Sequence, residues 1–293
     1  MHSRPSSPNL ALWVAALAGL YSCGGARPPY AEELREWRER AESRLIADDG
    51  WLTIAGLFWL DEGRKTIGSG PGNDFVVREG TAPERLGEFE TRQDRARFRA
   101  APGVTVDYRG RRVREVELDT DSDAIRYGEL SMLLIERGGR LAIRLRDLGS
   151  PLRRQFKGRT WFPPDESYRV TARFESYNPP KEIAVPNILG YTEMLPCPGV
   201  AIFRLHGQEH RLEPVIEDDQ LFFIFRDETA SRETYPSGRF LYAAKPSRGT
   251  VVLDFNKAYN PPCAFNPYTT CPLPPRQNRL GIRIEAGELK YDN

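Results

Sequence analysis

Most of this chain follows a two-residue period. The stretches "RARFRA", "VTVDYRGRRVREVEL", "SMLLIERGGRLAIRLRD", "YRVTARFESY", "LFFIFRDET", "GRFLYAAK" and "TVVLDFN" alternate apolar with polar side chains. Turns such as Arg109-Gly110 and Gly138-Gly139 interrupt them. Successive side chains of a strand point to opposite faces, so each run has one face to bury and one to leave in water. Short strands at this spacing, without helical pattern between them, call for an antiparallel sandwich or barrel. One stretch departs from that period: Leu34, Trp37, Ala41 and Leu45 recur at helical spacing among Glu and Arg, and the pattern stops at Asp48-Asp49-Gly50. The expected fold is therefore mainly β, an N-terminal helix followed by two antiparallel β units of sandwich or barrel type. Helix and first unit take residues 30–147 and the second unit residues 148–293, with "GSPLRRQFKGRTWFPPDES" as the linker. A hairpin is expected around Gly207-Gln208-Glu209, and a closing strand pair in "LGIRIEAGELKY".

The N-terminus reads as a targeting segment. Leu10 to Leu20 is an apolar run of signal-peptide length, too short to span a bilayer as a helix. It leads into Leu20-Tyr21-Ser22-Cys23-Gly24-Gly25, which resembles a bacterial lipobox. Residues 1–22 are expected to be a lipoprotein signal peptide, Cys23 the lipidated residue and 23–29 a spacer. An ordinary secretory signal is the alternative. Either leaves an exported protein on the periplasmic or cell-surface side, and lipidation would hold it to the membrane through Cys23. The 42 Lys and Arg against 41 Asp and Glu argue against nucleic acid as a partner, because phosphate binding draws on a basic excess. The basic stretches Arg92 to Arg99 and Arg109 to Arg114 are interleaved with acidic and apolar residues and read as solvated strand faces.

Three places could carry chemistry. His206 and His210 flank the expected hairpin turn, but a metal needs further ligands that the spacing does not place. No cofactor or metal is expected. Asp227, Thr234, Tyr235 and Arg239 lie on a connection between two apolar strands; an ion pair between Asp227 and Arg239 that fixes the hairpin competes with a binding role. The third place is "LDFNKAYNPPCAFNPYTTCPLPPRQNRL", which brings Asp254, Asn256, Tyr259, Cys263, Cys271 and Asn278 onto a long proline-rich loop. Loops of that length are functional or disordered. The aromatic content of this one favours packing, with prolines lowering the entropy lost on ordering. For Cys263 and Cys271 a disulfide, two packed thiols, a ligand-binding rim, a metal site and a catalytic thiol all stay open.

Two resemblances add to this. Ile67-Gly68-Ser69 followed by Asn73-Asp74-Phe75-Val76-Val77 resembles the first hairpin of forkhead-associated domains. Ser69 stands where their phosphate-holding arginine would be, so no phosphothreonine peptide is expected as a partner. The helix with Trp37, "GWLTIAGLFWL", "IGSGPGND", "RLRD", "DET" with "TYPSGRFL", and the proline-rich loop together resemble the DUF1684 family of bacterial and archaeal proteins. That family has no known function; the resemblance implies that Asp254, Asn256, Tyr259, Cys263, Cys271 and Asn278 form one constellation.

Two functions follow as expectations. One is a small-ligand binding or structural module of the envelope, with Asp227, Tyr235, Arg239, Asp254, Asn256, Tyr259, Cys263, Cys271 and Asn278 around a pocket and Arg239 gripping a small anionic ligand. The other is a hydrolase, with Asp254 or Asp227 as general base and Arg239 stabilising developing charge between the 227–239 and 254–278 loops.

Overall fold

The computed structural model describes residues 29–291, apart from 94 and 121. The expected signal peptide, residues 1–22, and Cys23 lie outside the described residues. Helix α1 spans Tyr30–Ile46, with Glu32 and Glu33 in its first turn and Arg44 in its last, each complementing the helix dipole. Leu34 and Leu45 are its buried residues, as the periodicity requires.

The first β unit is a sandwich. Its strands are β1 (Ile54–Trp59), β2 (Gly63–Gly68), β3 (Phe75–Val76), β4 (Gly87–Arg92), β5 (Arg95–Ala100), β6 (Val106–Tyr108), β7 (Arg111–Val113), β8 (Glu115–Leu118), β9 (Ile125–Tyr127), β10 (Leu130–Arg137) and β11 (Arg140–Asp147). They form a six-stranded sheet in the order β1-β11-β10-β9-β6-β7 and a five-stranded sheet in the order β3-β2-β4-β5-β8. Phe75, Phe89, Phe98, Met132 and Ile143 are among the residues of the core. Pairing is antiparallel except for β2 with β3, which run parallel, so the stretch from Ile67 to Val77 that resembles a first hairpin does not form one. On the solvent face Arg97 contacts Glu115 and Glu117 across the β5–β8 pair, a surface charge ladder.

The second unit contains β12 (Arg169–Pro186), β13 (Thr192–Leu205), β14 (Gln208–Leu212), β15 (Val215–Glu217), β16 (Gln220–Phe225), β17 (Arg239–Ala243) and β18 (Thr250–Asp254). A four-stranded sheet, β14-β13-β12-β18, faces a three-stranded one, β15-β16-β17. Phe174, Phe203, Phe223, Phe225 and Phe255 fill the space between. The long β12–β13 ribbon bulges between Ser176 and Lys181, where Pro179 and Pro180 have no N–H for a ladder. At Gly199 a Cβ would stand 2.4 Å from the Glu175 carbonyl oxygen, so only glycine allows the strands to approach there.

Three expectations change. The β13–β14 hairpin turns on His206 and Gly207, at φ 50° and 79°, with Leu205 paired to Gln208. Two consecutive positive φ values suit the right-handed twist of the strands. The segment "LGIRIEAGELKY" forms no strands. Its carbonyls at Ile284 and Ala286 accept from the Arg239 guanidinium, and the Ile284 N–H donates to the Asp227 carboxylate, so a side-chain pair takes the place of a neighbouring strand. The linker is folded: α2 (Pro151–Arg154) follows buried Ser150, and Trp161 bridges to Glu288.

Candidate functional site

Asp227 and Arg239 form a buried ion pair. Arg239 Nη2 donates to Asp227 Oδ1 at 3.0 Å, and both side chains are 1% exposed. The other carboxylate oxygen accepts from Thr229 Oγ1 at 2.8 Å and from the Ile284 amide at 2.8 Å. Burial lowers the affinity of the guanidinium for its proton, and Asp227 opposes that. Gly238, at φ 100°, leads into this arginine, and a Cβ there would meet the Phe225 carbonyl at 2.5 Å. The structure therefore places Arg239 inside the fold and not on the rim of a pocket.

The polar residues of the proline-rich loop are turned inward in the same way. Asn256 and the Asp165 backbone exchange two hydrogen bonds, Nδ2 to carbonyl at 2.8 Å and amide to Oδ1 at 3.0 Å. Asn278 takes the Glu213 amide and gives to the Glu213 and Ile224 carbonyls. Asn266 donates to the carbonyls of Trp51 and Ile54, joining the loop to the start of the first β unit. A primary amide matches a peptide group donor for acceptor, so each asparagine does locally what a paired strand would do. Short 3₁₀ turns, at Phe255–Lys257, Pro262–Ala264 and Arg276–Asn278, fill the intervals.

Asp254 fastens α1. Its Oδ1 accepts from Tyr30 Oη at 2.9 Å, and Lys257 Nζ, which also reaches Glu33, lies 3.5 Å from its Oδ2. Burial first, then Asp254, pushes the Tyr30 phenol well above its usual range. Tyr259 pairs with Phe240 through two backbone hydrogen bonds and lies between the rings of Trp37, Phe240 and Tyr242. Tyr235 donates to the Cys263 carbonyl at 3.1 Å. Cys263 and Cys271 are unbonded thiols, and the Cys263 amide points at the Cys271 sulfur at 3.3 Å. None of the nine predicted residues lines either of the two surface depressions described below.

The histidines separate. His206, in the turn, meets Tyr168 Oη at 3.4 Å, while His210 pairs with Phe203. Among the described residues no three His, Cys, Asp or Glu side chains are grouped for a metal. The Ser69 hydroxyl donates to the Ala82 carbonyl.

What the sequence reading missed comes from the linker and the C-terminal segment. Arg159 Nε meets Glu288 Oε1 at 3.0 Å, with side chains 4% and 1% exposed. The Arg159 guanidinium lies over Trp161, Tyr259 and Phe265. Burial raises the Glu288 carboxyl to about 7 against the pull of Arg159 and the Asn260 amide. The clustered "RTWFPP" aromatics and prolines were the available signal.

Above this layer a crevice of about 260 Å³ runs between α1 and the linker. Ala31, Leu34, Trp161 and Pro164 give it apolar walls; Arg35, Arg38, Glu39 and Glu42 edge it. Arg38 stacks on Trp161 at 4.8 Å, and its Nη2 donates to the Phe162 carbonyl at 3.2 Å. Its Nε is buried without a hydrogen-bond partner among the described residues. A wider groove of about 650 Å³, on the far side of Pro164, is lined by Asp165, Glu166, Tyr168 and Glu285 among others. Neither depression is lined by Asp227, Arg239 or Asp254.

Known proteins bear on this architecture as follows. An uncharacterised protein of Haloarcula marismortui is similar at 32% identity over 47% of this chain and 78% of its own, with a TM-score of 0.40. The forkhead-associated domain of FhaA is similar at 21% identity over 31% of this chain and 97% of its own, with a TM-score of 0.23. The second forkhead-associated domain of the Mycobacterium tuberculosis ABC transporter Rv1747 shares 26% identity over 29% of this chain and 77% of its own, with a TM-score of 0.23. No curated protein matches the chain. The DUF1684 family model, described as a protein of unknown function, matches residues 154–289, which take in the linker aromatics, the buried ion pairs and the asparagine-held loop. Residues 154–289 of the chain therefore belong to the DUF1684 family.

Proposed function

We propose that this protein is an exported module, anchored to the membrane by a lipid on Cys23, that binds a small anionic amphiphile in the crevice between α1 and Trp161–Pro164. The observation that carries the proposal is Arg38. Its Nε is a buried donor without a partner among the described residues, on a guanidinium already oriented by the Trp161 face and the Phe162 carbonyl. An unsatisfied buried donor is unfavourable by about 1–3 kcal/mol, and an incoming carboxylate or phosphate oxygen would relieve that. Apolar walls beside one oriented cation suit a ligand with a flat or aliphatic body and an acidic head. The test is a titration with 1-anilinonaphthalene-8-sulfonate, followed through the emission of Trp37 and Trp161. Saturable quenching is expected, with Arg38→Met weakening binding at least tenfold and Arg239→Lys, if folded, leaving it within threefold. Unsaturable binding, or equal affinity in Arg38→Met, would remove the crevice as the site.

One observation favours a second reading, a hydrolase with Asp254 as base: its Oδ2 is buried and accepts no hydrogen bond from the described residues. Against it, Lys257 and Tyr30 hold the carboxylate. Turnover of aryl ester or aryl phosphate substrates that is lost in Asp254→Asn would establish that reading; no turnover by the folded wild type would end it for those substrates.

A further inference from the structure

We infer that Cys263 and Cys271 form a dithiol site that exchanges with an external disulfide, Cys263 attacking and Cys271 resolving. The two residues are eight apart in sequence, yet the loop folds back so that the Cys263 N–H donates to the Cys271 sulfur at 3.3 Å. Pro261 and Pro262 before the first cysteine, and Pro272, Pro274 and Pro275 after the second, limit the conformations through which the loop could separate them. Asn266, fixed to Trp51 and Ile54, holds the middle of the loop.

The pair is asymmetric. Cys263 is partly exposed while Cys271 is buried, and the Cys271 thiol donates to Thr269 Oγ1 at 3.7 Å. The adjoining Cys271 thiol favours the Cys263 thiolate, while the adjoining Cys263, followed by burial, disfavours ionisation of Cys271. The third described thiol, Cys197, is fully buried, donates to the Gly199 carbonyl at 3.0 Å and is pushed up to about 11 by burial. Reactivity therefore falls on Cys263, since the thiolate is the nucleophile.

The exchange balances without a further reactant. The Cys263 thiolate attacks one sulfur of the external disulfide, forming a mixed disulfide and releasing one thiolate, which takes up a proton. Once Cys263 is in a disulfide it no longer presents a negative charge to Cys271, and its N–H still points at the Cys271 sulfur. Cys271 then loses its proton and attacks Cys263. The Cys263–Cys271 bond forms, the mixed disulfide breaks, and the second thiol leaves: two protein thiols are oxidised and one external disulfide is reduced. The external disulfide could be a small molecule or the active-site pair of a carrier protein.

The experiment equilibrates the full-length protein with oxidised and reduced glutathione, and separately with an oxidised thioredoxin-fold carrier, followed by acid quench, alkylation and peptide mapping. Expected is a single linked peptide joining Cys263 to Cys271, with Cys197 unmodified. Linkage with glutathione identifies small disulfides as competent; linkage with the carrier alone assigns the site to a protein donor. Cys271→Ser should stop at a mixed disulfide on Cys263, and Cys263→Ser should leave Cys271 at least tenfold slower than Cys263 in the wild type. Free Cys263 and Cys271 in both arms, or a stable adduct on Cys263 in the wild type with Cys271 present, would overturn the inference.

Discussion

Arg239 shows how a residue chosen for its chemistry can have a structural task. In sequence it is a cation between two strands; in the fold it replaces a missing strand partner for residues 284–286 and neutralises Asp227. Removing one partner of such a pair leaves an uncompensated buried charge, so Asp227→Ala is expected to destabilise by about 3–5 kcal/mol. A lower urea midpoint at unchanged slope would record this. Glu288 gives a second residue-level prediction. Its folded carboxyl is raised to about 7, so between about pH 4.5 and 7 the folded state holds a proton that the unfolded state has lost. Its contribution is most favourable below that window and declines as pH rises through it, by up to roughly 3 kcal/mol. Urea midpoints across that range should therefore fall less with pH in Glu288→Gln than in the wild type; identical pH profiles would contradict the assignment. Arg159 and Glu288 were not singled out from sequence because their significance comes from mutual burial: the aromatics and prolines beside Arg159 mark its segment but not its partner.

At the scale of elements, alternation made the strands legible because a strand's two faces meet different solvents. Helix α1 was legible for the same reason at a different period. The closing segment 280–291 carried the same alternating text and is not a strand: Ile282, Ile284 and Ala286 are buried, but their backbone partners are Asp227, Arg239 and isolated amides. Periodicity reports burial, and the hydrogen-bond partner has to be learned from the fold. The proline-rich loop was legible as packed, while the role of its asparagines was not, because an amide that clamps backbone and an amide that binds a ligand read alike. Asn266→Ala should orphan the Trp51 and Ile54 carbonyls and destabilise by about 1–3 kcal/mol for each group left buried. The Tyr268 amide, which donates to Asn266 Oδ1 at 2.8 Å, should exchange with deuterium faster in that variant. Unchanged exchange there would mean the clamp is dispensable.

The whole molecule is two β units joined through a shared seam. Leu45 and Leu52 pack with Ala264 and Phe265, Arg153 meets Asp48 at 2.7 Å, and Arg146 reaches the Gly50 carbonyl. The segment read as a linker supplies Arg159 and Trp161 to the seam and one wall of the crevice. This arrangement puts the proposed ligand next to α1, whose first residue follows Cys23 by seven positions, a tether of at most about 25 Å if extended. An acylated Cys23 would keep the crevice close to the membrane surface, consistent with an amphiphilic ligand. The most direct measurement is amide and indole chemical-shift mapping of the folded protein titrated with 1-anilinonaphthalene-8-sulfonate. Shifts centred on Arg38, the Trp161 indole and the facing residues of α1 are the predicted result. Shifts centred on Asp227, Arg239 and residues 254–278, with α1 and Trp161 unmoved, would contradict the placement of the site.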